Sequence, residues 1–442
     1  MKSNYDLVVI GGGMSGVSAA VTSAKKGLRV LLIEQTAMLG GVGVSGLITM
    51  MMTSRYNFFG LGKEFINRLI SKGFARKIEN PAVKGYDYYP FDAEGMKREL
   101  EALLEESGAE FLLHTKVIAV KKFGRNIKKL VLCGVQGQFE VSAKFYIDAS
   151  GDGIVCKFSG ESVLYGDENH NTQAPTMMAY YSGIDFEKYD EFLKQFEGGG
   201  KPAKINMIHS LVPKAVEDGV LSECDFHHPG IFQISGNVGV MNAGHVYGAD
   251  CSTSKGITDA TVKGRKMAKE YFDFYKKYIP GFENAYMTNT GSALALRETG
   301  RVVGRYVTTF EDKTNYRKFD DAIMRFDGGA VSDLHASSSD KKAYDEYVKL
   351  FSNRESVLAD DFAHLPLRSF LPLKTDNLLV VGRCMSADRK VLGQLRIMGY
   401  CFMMGQAAGE ICAESFNSNV NFAKVNVKKV QEALKEQGVP TV

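Results

Sequence analysis

The apolar positions change period along the chain, and each change marks an element. From Tyr5 to Glu34 the order is strand, glycine turn, helix and strand, with Leu7 to Ile10 a short continuous apolar run of the buried-strand kind. Phe91 to Gly108 has helical spacing: Met96, Leu100, Leu103 and Leu104 fall on one side, and Gly108 stands where a C-cap belongs. Phe111 to His114 predicts the next buried strand. Lys116 to Phe145 then reads as three strands joined by short turns, around Gly124 to Asn126 and around Gly137, an antiparallel meander laid on a parallel sheet. It leads into Tyr146 to Gly153, a strand ending in small residues.

Beyond about Cys156 the composition shifts toward aromatic and polar residues. Gly198 to Pro202 predicts a loop. Thr258 to Tyr278 predicts the longest helix, with Thr258 or Asp259 as N-cap and Pro280-Gly281 past its end. Thr288 to Thr309 is rich in β-branched residues, which predicts strands, with a break at Glu298 to Gly300. The earlier style returns near the end. Asn377 to Cys384 is a buried strand stopped by glycine, and Ile397 to Ser415 is a helix whose Gly405, Ala407, Ala408 and Gly409 let a neighbour pack very close. A chain of 442 residues exceeds what one hydrophobic core usually serves. Two domains are therefore expected, a discontinuous one of residues 1–155 and 371–442 and an inserted one of residues 156–370. The fold class is α/β, a Rossmann-like domain with parallel sheet and meander, interrupted by an α+β substrate domain.

The chemistry begins at the first turn. Gly11, Gly13 and Gly16 have GxGxxG spacing where the first strand ends and a helix opens. Gly11 allows the turn, Gly13 the approach of a pyrophosphate to the helix N-terminus, and Gly16 tight helix–strand packing. Glu34 closes the second strand, where a carboxylate accepts ribose hydroxyls and repels a 2′-phosphate, so NADP is disfavoured. A second glycine cluster, Gly40, Gly41, Gly43 and Gly46, follows directly and gives backbone room for a longer cofactor, favouring FAD over NAD. The run Met50 to Met52 beyond it reads as core wall.

Composition narrows the partners. The apolar and charged fractions, 45% and 24%, are those of a globular protein, and a net charge of +3 without a basic run leaves no footprint for nucleic acid. No stretch is long enough to span a bilayer and none reads as a signal peptide, so the expected compartment is the cytoplasm. The seven cysteines are widely separated and form no CxxC, which argues against zinc, an iron–sulfur cluster or a redox dithiol; buried free thiols are expected and no metal.

The order of these segments resembles the FAD-dependent oxidoreductases of glutathione-reductase fold, and within them the bacterial family that includes the flavin subunit of heterodisulfide reductase. GGGMSG with Glu34, LGGVGVSG, YIDASGDG, MNAGHVYGAD, LRETGRVVGRY, FDDAIMRFDGGAVSDLH, LPLRSFLPLKTDNLLVVGRCMSA and LRIMGYCFMMGQAAG carry the resemblance. It implies that Gly11, Gly13, Met14, Ser15 and Gly16 hold the pyrophosphate, Glu34 the adenosine ribose, and Gln35, Gly41 and Val42 the next stretch of FAD. Val117 would meet the adenine through its backbone, and Ala149, Ser150 and Gly151 the adenosine side. Gly382 and Arg383 stand where related families use Gly-Asp, the arginine implying charge pairing with phosphate. Leu395 and Arg396 would offer backbone N–H groups to the flavin pyrimidine at a helix mouth. LGGVGVSG has no histidine to attach FAD covalently, so a noncovalent flavin is expected. A second GxGxxG after a strand is also missing, which leaves electron exchange to a small molecule, oxygen, a quinone or a redox partner protein.

For proton transfer beside a flavin, His335 leads the candidates: Asp333 two residues earlier would share its face on a strand and orient the imidazole, a solvated surface pair being the alternative. His245 is a second candidate, though a lone histidine is more often structural. Arg297 and Arg301 could clamp a carboxylate or pair with Glu298 or Asp312. Arg368 is weaker, and His227-His228, without a third ligand at metal spacing, reads as a loop pair. The expected activity is hydride transfer between flavin N5 and a small polar organic substrate. Reduction of an activated C=C bond and electron transfer within a larger complex are the alternatives.

Overall fold

The computed structural model describes residues 4–79, 86–168, 170–198, 203–227, 230–351 and 361–442. Residues 199–202 of the expected loop and His228 lie outside the described residues.

The fold is mixed α/β, a Rossmann-like sheet joined to separate antiparallel sheets. Strand β1 (Asn4–Ile10) runs parallel to β2 (Val30–Ile33), with Leu7 opposite Val30, and helix α1 (Met14–Lys25) crosses between them. On the outer side of β2 lies the short strand Glu110–Leu112, half-buried at the sheet edge rather than fully buried as expected. On the other side of β1 lies Gly137–Asp148. This twelve-residue strand does two jobs. Its first part pairs antiparallel with Asn126–Gly134, which pairs with Lys116–Phe123 to complete the meander, and its last part runs parallel to β1. The sequence divides it in two; the structure keeps one strand, because its apolar alternation continues through Phe145, Tyr146 and Ile147. The late strand Leu378–Val380 joins the same sheet beside it, Leu379 opposite Ile147.

The continuous apolar run of β1 is explained by two covered faces. Leu7 and Val9 point into a core with α1 and the helices Ala93–Ser107 and Met398–Asn417, while Val8 and Ile10 point into a second core under the meander. Asp92 caps the Ala93–Ser107 helix by accepting from the Glu94 and Gly95 amides, and Gly108 ends it at a φ of 78°. The helix Met398–Asn417 lies so close to α1 that a Cβ on Gly405 would stand 2.1 Å from the Ser15 carbonyl oxygen, which is the close packing its small residues predict. The three methionines form the strand Met50–Met52 against Tyr88–Pro90, with Met51 in the core.

A four-stranded antiparallel sheet, in the order Gly230–Ser235, Val238–Asn242, Ala179–Ser182 and Tyr286–Thr290, has its own aromatic core with the helix Ser254–Tyr278. That helix begins four residues before the expected Thr258. Thr253 is its cap, accepting from the Gly256 amide, whereas the Thr258 hydroxyl returns to the Ser254 carbonyl within the helix. In the β-branched stretch only Tyr286–Thr290 and Gly300–Val302 are strands, the second starting inside the expected break. The ribbon of Ala322–Asp327 and Phe362–Pro366 packs into the first core. No helix among the described residues is long and apolar enough to cross a membrane.

Candidate functional site

The nucleotide end is built from backbone. Gly11, at a φ of +104°, and Gly16 lie where a Cβ would come within 2.4 Å of the Ala149 oxygen and 1.8 Å of the Gly11 oxygen. Gly13 caps α1 without a side chain, and the first turn carries no acid, which suits an anion on its free amides. Beside it a pocket of about 100 Å³ is lined by Gly11, Glu34, Gln35, Val117 and Ser150 from the expected set, and by Lys116 and Asp152, which were not expected. Glu34 is less open than anticipated. Its two oxygens accept from the Gly12 and Thr36 amides, at 2.7 Å each, so it braces the turn before it meets any sugar.

The second glycine cluster continues from there. The Gly40 amide donates to the Gly12 oxygen, and a Cβ on Gly41 would stand 3.1 Å from Gly13 Cα. Past Val42, which opens a short turn of helix, a Cβ on Gly43 would meet Met398 Sδ at 2.9 Å and one on Gly46 the Ala295 Cα at 3.1 Å. The cluster thus runs from the first turn to the start of the helix Met398–Asn417. Ala149 bonds to β1 through its amide, and the Ser150 hydroxyl donates to buried Asp148. Gly382 lies against Ser15. Arg383 donates to Thr299 and Asp152 over Gly151, so its charge is already met and the case for a phosphate pairing is weaker. Leu395 is buried at the end of helix Arg389–Leu395, and Ile397 opens the helix Met398–Asn417 with no side-chain cap and no acid in its first turn.

The second centre is made of side chains brought from five separate stretches. Asp225 Oδ2 accepts from His245 Nδ1 at 2.9 Å, His245 Nε2 lies 3.0 Å from His335 Nδ1, and His335 Nε2 lies 3.1 Å from Asp333 Oδ1. Arg396 closes the row, donating to Asp333 through both the carbonyl and Oδ2. Asp333 and His335 are in irregular chain rather than on a strand, yet the predicted contact forms. Asp225 also accepts from the amides of His227, Gly244 and His245 and from the Tyr247 hydroxyl, which fixes it as acceptor.

His227 corrects the reading of a loop pair. It is buried, with its ring 4.1 Å from that of His335 and 4.7 Å from that of His245. Neither of its ring nitrogens has a hydrogen-bond partner among the described residues. The nitrogens of the three histidines lie within 4.8 Å of one another. His245 and His335 meet end to end, however, and His227 stacks on their faces, an arrangement for sharing protons. Burial holds His227 and His335 well below the usual imidazole value and lowers His245, so all three favour the neutral form. Burial raises Asp333 against the pull of Arg396 and Arg297.

Arg297 is buried beside this row, its Nη1 donating to the Ala174 carbonyl and the Thr176 hydroxyl, and burial lowers it to about 10. Arg301 follows the plain alternative instead: it pairs with Glu298 at 3.2 Å and donates to the Gly166 and Ala387 carbonyls. Asp312 serves Arg317, and Arg368 is held by Asp321. A cleft of about 580 Å³ opens at His335 and Tyr347. Sequence reasoning missed Asp225, His227 and the Arg396 side chain. One signal was present: Asp-x-His occurs twice, at residues 225–227 and 333–335.

A family model described as FAD dependent oxidoreductase matches residues 6–434. Among curated proteins, the digeranylgeranylglycerophospholipid reductase of Methanosphaerula palustris is 29% identical over 173 residues, covering 36% of this chain and 41% of the relative. That of Methanoculleus marisnigri is 30% identical over 126 residues, covering 27% and 31%. The matches therefore span less than half of those relatives. Among solved structures, a geranylgeranyl bacteriochlorophyll reductase-like protein of Thermoplasma acidophilum superimposes with a TM-score of 0.50 at 14% identity, over 99% of this chain and 84% of that one, a likeness of fold.

Proposed function

This chain belongs to the FAD-dependent oxidoreductase family, and from that premise we propose that it holds FAD noncovalently and exchanges a hydride with a small polar organic substrate at the histidine cluster. The residues fit the cofactor: uncapped amides at the first turn of α1, the pocket beside Glu34 and Val117, and a glycine path from Gly13 to Met398. In this reading Gly11, Gly13, Met14, Ser15 and Gly16 meet the pyrophosphate, Glu34 the adenosine ribose, Gln35, Gly41 and Val42 the next stretch of FAD, and Leu395 and Arg396 the pyrimidine end through their amides. Bound there, FAD would supply N5 as hydride donor or acceptor.

What the chain itself adds is proton handling. The observation that carries the proposal is the row Asp225–His245–His335–Asp333 beside the cleft, buried from Asp225 to His335. Both nitrogens of His335 are engaged, so a substrate proton exchanges where a contact opens, and the 3.1 Å contact of Nε2 with Asp333 is the longest in the row. His245, anchored by Asp225, fixes the tautomer behind it and acts as a positioning residue. His335→Ala should keep FAD and lose bleaching of the flavin by substrate; full turnover in that variant would remove the assignment. Anaerobic photoreduction followed by air then sorts oxidase from dehydrogenase by the speed of reoxidation.

Reduction of a C=C bond is the second reading, favoured by the reductase names of the two curated relatives. The finer placement, with the glutathione-reductase fold and the heterodisulfide reductase flavin subunit, supports a third reading, electron transfer within a larger complex. It would make the chain an electron carrier for a redox partner protein that supplies its own clusters.

A further inference from the structure

The row fixes a charge as well as a direction. Three hydrogen bonds in series, Asp225 to His245, His245 to His335 and His335 to Asp333, need one proton each. Two neutral imidazoles supply two. One more proton must therefore reside in the row, and the four backbone and hydroxyl donors on Asp225 leave the Asp333 end to carry it. Two carboxyl groups and one extra proton give the row a single negative charge, wherever that proton sits.

Against it stand two guanidiniums. Arg396 is paired with Asp333, while its Nε is buried with no hydrogen-bond partner among the described residues. Arg297, only 5% exposed, has no carboxylate partner among the described residues and spends only Nη1, on Ala174 and Thr176. The remaining groups facing His335, namely His227 and Tyr347, are neutral. The cluster among the described residues thus carries one positive charge beyond its carboxylates, on side chains that water reaches only slightly, a costly state unless an anion completes it. The charge of Arg396 is itself among the causes that lower Arg297.

We propose that the substrate of this site is a carboxylate, bound by Arg297 and Arg396 with its reacting carbon beside His335. A carboxylate brings one negative charge, which neutralises the cluster, and two oxygens in the plane that a guanidinium matches. A phosphate, with about 1.5 to 2 negative charges at neutral pH, overshoots the count. The proposal rests on the reading of the histidine cluster as the reaction site.

The test uses the FAD-loaded protein, with glycolate as probe, and glycolamide and inorganic phosphate as comparisons, read by calorimetry and by the flavin absorption spectrum. Glycolate should bind saturably at least about tenfold more tightly than glycolamide and than phosphate, and about tenfold less tightly to Arg297→Gln. Arg297→Lys, which keeps the charge but loses the fork, should fall between. Equal affinity for acid and amide, tighter binding of phosphate, or no saturable heat from glycolate overturns the carboxylate assignment, and these measurements on the unmutated protein stand even if the variants fail to fold. Saturable, carboxylate-selective binding that leaves the flavin spectrum unmoved upholds the anion site and refutes its placement at the reacting flavin.

Discussion

The nucleotide end and the histidine cluster solve opposite problems. At the first, recognition is a matter of what is missing: Gly11, Gly13 and Gly16 leave room for backbone, and the amides of α1 go uncapped. At the second it is a matter of what has been buried, a carboxylate, three imidazoles and a guanidinium without a carboxylate partner among the described residues, with Asp333 half-buried at the end of the row. The first starts within the opening 34 residues and adds Gln35, residues 115–117 and Ser150, Asp152 and Ile154 from the meander and its end. The second draws on residues 225–227, 245, 297, 333–335 and 396. A site made by absent side chains answers to added bulk; one made by buried charge answers to pH.

The largest expected effect separates the two by acid. His227, His245 and His335 are held below their usual value, so below a pH of about 6.5 the unfolded chain takes up protons that the native cluster refuses. Stability should fall as pH drops through that point, by about 1.4 kcal/mol per pH unit for each histidine that stays neutral. Asp333, raised in the folded protein, works in the opposite sense from a pH of about 4 upward and offsets about one of them. Urea denaturation between pH 5 and 8 checks this, and a flat profile would contradict the burial of neutral rings. FAD affinity of the folded protein, resting on amides, should change little over the same range.

Asp225→Asn comes next. An amide cannot accept from His245 Nδ1 and from every backbone donor together, so about 1.5–3 kcal/mol of stability should go, together with the pH profile of flavin bleaching. FAD binding should persist. Gly16→Ala does the reverse: its methyl would stand 1.8 Å from the Gly11 oxygen, costing about 1–3 kcal/mol and abolishing FAD binding, with the cluster intact. Glu34→Gln is the mildest. Its loss of charge at the Gly12 and Thr36 amides should cost about 1 kcal/mol, seen as a small fall in melting temperature and weaker FAD.

The contrast also explains what could be read from the sequence. Glycine spacing after an apolar run is a local code, so the turn, α1, the meander and the small-faced helix Met398–Asn417 were legible residue by residue. Element ends were less so. Thr258 competes with Thr253 for a cap, and only the hydroxyl's return to Ser254 decides between them. Clusters of ionisable groups carry no period. His335 was legible because Asp333 is near it in sequence, whereas His227 meets it, and Asp225 meets its neighbour His245, only across a separate antiparallel sheet. Arg301 and Arg297, four residues apart, looked equivalent until packing gave one to Glu298 and left the other without a carboxylate partner among the described residues.

The most direct measurement is titration of the purified, FAD-stripped protein with FAD, followed by flavin absorbance and fluorescence and then by acid precipitation. The account predicts one FAD per chain, a shifted flavin spectrum, and full release of the flavin into the acid supernatant. A cooperatively folded protein that takes up no FAD, or one whose flavin stays with the precipitate, would contradict it.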